Sequence, residues 1–171
     1  MIDPNKLLRT WLITPEVTLP VEGTLINPVL SVLANQTGNP TGPTPAVPWP
    51  IPPIFAGHLP EKYDPRPTGN GLAIVIRGGG SGVTYGGTAH TEIPIIDPRM
   101  EIICWGGNNE FEKARSVDRA IFDWIHAKSA LDLGDVGFVI NSLNLVLGQD
   151  VYDTSGLASI VSFYHLTLRE N

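Results

Sequence analysis

The run Gly78-Gly79-Gly80-Ser81-Gly82 is the stretch that most invites chemistry, because a glycine-rich turn can cradle phosphate with its backbone amides. A P-loop places a lysine and a hydroxyl residue after its last glycine, at the mouth of a helix, to hold phosphate and magnesium. Val83-Thr84-Tyr85 follows here, and no helical pattern begins. A dinucleotide fingerprint would also have to open a crossover helix. A nucleophile elbow needs glycine two residues before and two after its serine; Ser81 has Gly79 before it and Val83 after it. His90-Thr91-Glu92 copies the opening of the zinc deaminase signature, but the Pro-Cys-x-x-Cys that must follow is absent. The run is expected to be a flexible loop that orders on assembly.

The remaining candidates fail in the same way. His58, His90, His126 and His165 are scattered, with no pair at helical i, i+4 spacing to hold a metal. They read as hydrogen-bonding residues. Cys104 is the one cysteine, which excludes an intramolecular disulfide and a cysteine-based zinc site, and it reads as a buried, inert thiol. Asp132, Asp135, Asp150 and Asp153 read as turn and cap residues. The expectation is a protein without catalytic residues, metal or cofactor.

Composition points toward assembly. Of 171 residues, 42% are hydrophobic and only 16% charged, against the ~25% charge usual for soluble domains. Low charge fits a chain that hides part of its surface in an oligomer. The net charge of −6 argues against gripping nucleic acid over a broad surface, yet suits a channel through which DNA slides. The start, Met1 to Lys6, lacks the pattern of a signal peptide, and no apolar run approaches the ~18 residues of a membrane helix. A reducing cytoplasm is the expected compartment.

The elements that must position these residues follow from periodicity. Asp3-Pro4 is an N-cap followed by a first-turn proline, and Leu7, Leu8, Trp11 and Leu12 recur at helical spacing until Thr14-Pro15. Val17, Leu19 and Val21 suggest a short extended piece. Residues 35–53, rich in proline and glycine, are expected to form a polyproline-like arm, either a flexible surface insertion or one that packs on a neighbouring subunit through Trp49 and Ile51. A turn-rich segment from Ile54 to Pro67 leads to a buried strand at Leu72–Ile76, then a glycine-rich loop over 78–90. A second strand covers Met100–Trp105. Phe111, Ala114, Val117, Ile121, Trp124 and Ile125 stripe the strongest helix, expected to run to about Leu131. Strands at Val136–Leu147 and Ile160–Leu168 close the chain, joined by a link over 149–156. The sum is one α+β domain over 1–171. It has a mostly antiparallel four- to five-stranded sheet with two helices packed on one face, plus the long proline-rich insertion. A free sheet edge in so small a domain invites pairing with a neighbour.

Three phrases carry a resemblance. Ile54-Phe55-Ala56-Gly57-His58-Leu59-Pro60-Glu61 with Leu72 to Gly80, then Arg99 to Gly106 leading into Phe111 to Lys128, and finally Asp153-Thr154-Ser155-Gly156 to Arg169, resemble the tail terminators of tailed phages. These are also called tail completion or head–tail joining proteins. The likeness rests on element order and loose phrases over about 54–171, with the first helix matching as well; the insertion at 35–53 departs from shorter members. It implies a structural virion protein of the tail or neck, assembled in the host cytoplasm. It implies a homohexameric ring that binds the last ring of tail tube protein, stops tube polymerisation and presents a surface to the head-completion or neck protein. Genomic DNA would pass through its lumen without specific binding. A ring of this kind comes from heterologous contacts that close on themselves. The expected assembly surface is Arg77, Gly78, Gly79, Gly80, Ser81, Gly82 and Tyr85, together with Trp49 and Ile51. The competing readings are another neck component, such as a head-closure or adaptor protein, and a small enzyme.

Overall fold

The computed structural model describes residues 2–37, 53–65, 71–86, 93–106, 111–152 and 157–171. Among them are three α-helices: α1 (Pro4–Ile13), α2 (Pro28–Thr37) and α3 (Phe111–Ile125). The strands are β1 (Glu16–Leu19), β2 (Gly23–Ile26), β3 (Ile54–Ala56), β4 (Ala73–Gly86), β5 (Ile93–Trp105), β6 (Ser129–Asp132), β7 (Phe138–Tyr152) and β8 (Ala158–Arg169). β1 and β2 form a separate hairpin. The other strands make one six-stranded sheet in the order β3-β4-β5-β8-β7-β6. Only β3–β4 is parallel; every other pair is antiparallel.

The α+β class is as expected, with more elements than the sequence suggested. The sheet has six strands and three helices lie on one face. α2 begins as α1 does. Asp3 accepts from the amides of Asn5 and Lys6, and Asn27 accepts from the Val29 amide at 2.9 Å, each before a first-turn proline. Buried Asn27 also donates to the carbonyls of Leu12 and Thr14, both at 2.8 Å, tying the start of α2 to the end of α1. Residues 35–37, expected to open the arm, are the last residues of α2.

The core fills the space between helices and sheet. Leu7, Leu8, Trp11 and Leu12 from α1 and Val117, Ile121, Trp124 and Ile125 from α3 meet alternate residues of the central strands. These include Ile74, Ile76, Met100, Ile102, Ile160 and Tyr164. The Trp124 indole donates to the Trp11 carbonyl at 3.0 Å, joining the two helices inside the core. On the helix-free face Val75, Ile103 and Val161 line up across three strands, with Leu59, Trp105 and Phe163 around them.

Helix α3 ends at Ile125 rather than near Leu131, because its following residues are recruited to the sheet. The Ser142 hydroxyl on β7 donates to the Ile125 carbonyl and accepts from the Lys128 amide. Ala127 turns through φ 55°, and Ser129–Asp132 then pairs with β7 as β6. The last strands are also longer than expected. β7 runs through Gly148 to Tyr152, so residues 149–152 belong to a strand and not to a link.

Candidate assembly surface

The glycine run is a strand. Residues 78–86, expected as a loop, continue β4 and pair with β5 as far as Gly86 opposite Ile93. The physical reason lies on β5. Pro98 cannot donate to a ladder, and a proline inside a central strand is tolerated at a bulge. The register passes from Gly79 opposite Arg99 to Ser81 opposite Pro98, leaving Gly80 as the extra residue. The β5–β8 ladder is interrupted at the same place, between Ile96 and Arg99. Gly78 answers a different demand. A Cβ there would lie 3.2 Å from Asn5 Oδ1 and 3.2 Å from Met100 Sδ, so glycine lets α1 approach the sheet.

Of the residues expected to assemble, Arg77 stands exposed on the helix-free face. Its Nε donates to the Gly57 carbonyl at 3.0 Å, and its guanidinium lies 3.8 Å from Glu101. Gly78, Gly79, Gly80, Ser81, Gly82 and Tyr85 follow along the same strand. Trp49, Ile51, the arm over 38–52 and the segment 87–90 lie outside the described residues.

A second surface, not anticipated, lies on β7. Among the described residues, eight large hydrophobic side chains are exposed, and six of them are on this strand: Leu143, Leu145, Val146, Leu147, Val151 and Tyr152. Exposure reaches 46% at Leu145 and 60% at Tyr152. Exposed apolar side chains gathered on one strand point to an interaction site more than scattered single residues do. The strand is also open. β6 pairs only with Phe138, Val139 and Asn141, and the Lys128 and His126 contacts extend cover only to Asn144. From there to Tyr152 the outer edge has no strand beside it among the described residues. The signal was present in the sequence as Leu143, Leu145 and Leu147 alternating with Asn144 and Val146, but burial on a sheet face is the ordinary meaning of such a run.

Behind β7 the helix side is firmly held. Arg115 on α3 contacts both carboxylate oxygens of Asp150 at 2.8 and 3.0 Å, and Phe111 meets Tyr152 edge-to-face at 4.5 Å. Asp118 on α3 is buried and accepts from the Ser162 hydroxyl at 2.6 Å. The Gly148 amide donates to that same hydroxyl oxygen at 2.9 Å. Burial raises the Asp118 carboxyl above its ordinary range, against the lowering effects of Ser162 and Arg115. Cys104 lies fully buried on β5, and burial pushes its thiol well up.

His126 stacks on Phe122 and accepts from the Asn144 amide, His165 lies 3.8 Å from Asp97, and His58 is exposed. Among the described residues no three His, Cys, Asp or Glu converge as a metal site, and no helix is long and apolar enough to cross a membrane.

No known protein family's profile matches the chain, and no curated protein matches it. Among solved structures, one chain from the "Virion of native gene transfer agent (GTA) particle" is similar to it at 14% identity. That match covers 81% of this chain and 85% of the other, with a TM-score of 0.49.

Proposed function

We propose that the protein is a structural component of a phage-like virion, and within it a tail terminator that works by assembly and performs no chemistry. The observation that carries this reading is the open edge of β7, where five of the strand's six exposed apolar side chains lie. Such an edge is a template for pairing with another chain. The sequence likeness to tail terminators over 54–171 supplies the kind of assembly. In this reading copies of the chain form a ring, six in number as in that family. The ring seats on the last ring of tail tube protein, halts polymerisation, and offers its other side to a head-completion or neck protein. The net charge of −6 suits a lumen that DNA crosses without being held.

Negative-stain imaging of the protein, alone and mixed with tubes assembled from the tube protein of the same particle, tests this. The expected images show rings with a central hole and tubes closed at one end. A protein that stays monomeric beside open, still-growing tubes would overturn the reading.

A further inference from the structure

Resting on the ring reading, we infer that neighbouring subunits join by continuing the sheet. The open edge of β7 in one copy pairs antiparallel with the open edge of β4 in the next, in an offset register.

Three features of the sheet lead there. First, among the described residues it has two open edges. β3 pairs with β4 only at Ile74–Ile76, so no described strand lies beside Arg77–Gly86 on that side, as none lies beside β7 beyond Asn144. Second, the directions agree. Four strands, β4-β5-β8-β7, alternate in direction, so the two open edges run opposite ways. Rotation about a ring axis preserves the sense of a strand along that axis. β7 of one copy therefore meets β4 of the next antiparallel, and the alternation continues without a break. A twofold axis would instead join β7 to β7 and leave the β4 edge exposed.

Third, the covers on the two edges are complementary. The register chain Ala73, Trp105, Ser159, Val151 places the β3-covered start of β4 level with the open end of β7. β6 covers β7 at the other end of the sheet. Open edge meets open edge only if the next subunit is displaced along the strands. Then β6 passes beyond the end of the neighbour's β4, and the neighbour's β3 passes beyond the end of β7. A sheet that closes on itself must tilt its strands and stagger its register in this way. The glycines of β4 add room, since glycine in a strand often marks close approach by another backbone, here beside Leu145 and Leu147.

Two edge-blocked variants provide the test. L145K/L147K blocks β7, and G82K/T84K blocks β4. Wild-type protein is expected to sediment as a ring, and each variant alone as a monomer with unchanged far-UV circular dichroism. The two variants mixed are expected to give a one-to-one dimer, because each supplies the edge the other has lost. Hydrogen exchange on the wild type needs no variant: amides within 77–86 and 145–152 should exchange at least tenfold more slowly in the ring than in the diluted monomer. Rings that survive both blocks, dimers formed by G82K/T84K alone, or unchanged exchange at both edges would overturn the pairing while leaving the ring reading intact. A wild type that never leaves the monomer sinks the ring reading and the pairing with it.

Discussion

At the scale of single residues, Asp118 is the group whose chemistry reaches furthest. Its carboxyl is raised by burial, so its folded-state value lies above its unfolded one. The stability linked to this proton is complete below the unfolded value and is lost as pH rises through the folded one. In D118N the amide oxygen still accepts from Ser162 and carries no charge to bury. The stability of D118N relative to wild type should therefore climb as pH increases from about 4, the unfolded range of a carboxylate, and then level off. Urea denaturation from pH 4 to pH 8 measures it, and a constant difference across that range would refute the assignment. Asp118 was invisible as a special residue in the sequence, where it sits one position after Val117 in a helix with several charges. Only its approach to Ser162, 44 residues away, removes it from water. Cys104 shows the opposite case, since its neighbours Ile103 and Trp105 on a β-branched run already announced burial.

At the scale of elements, Asn27 joins two of them. Replacing it by alanine removes the α2 cap, worth ~1 kcal/mol. It also strands the Leu12 and Thr14 carbonyls, at roughly 1–3 kcal/mol for a buried group left unmade. N27A should lose about 2–4 kcal/mol in chemical denaturation, whereas N27S, which keeps a capping oxygen, should lose less. A loss equal in both variants would show that the cap contributes nothing. The Asn27-Pro28 pair carries the same signal as Asp3-Pro4, so a cue for α2 stood in the sequence although no helix was expected there, whereas the course of β4 had no such cue. Four glycines in five residues argue against a strand by propensity alone, and the pairing of β4 with β5 overrides that preference. The end of α3 was equally hidden, because it is set by a serine on a strand 17 residues later. Local periodicity revealed the faces of α1 and α3; contacts across the chain set where strands and helices stop. A consequence is that deleting residues 79–87 would remove most of a sheet strand along with any assembly contact.

At the scale of the whole molecule, if copies join through the sheet edges left open among the described residues, as proposed, stability depends on company. A ring binds only the folded subunit, so assembly raises apparent stability by mass action. The midpoint of thermal unfolding should therefore rise with protein concentration, and L145K/L147K should show a midpoint independent of it. Scanning calorimetry over a hundredfold concentration range decides, and a flat wild-type series would contradict self-assembly. The sequence hinted at this in its low charge and in the expectation of a free edge. It placed the contact surface on the glycine run and on the arm carrying Trp49 and Ile51, and passed over β7, because an apolar β7 looks like core until its neighbours are known.

Cys104 has a practical corollary. With its one thiol sealed inside the sheet, the native chain offers alkylating or spin-labelling reagents no target of its own. Any cysteine introduced on the surface would be modified alone, against a silent background. The protein thus comes ready for single-site labelling, and in the proposed ring the distance between labels would report how adjacent copies sit.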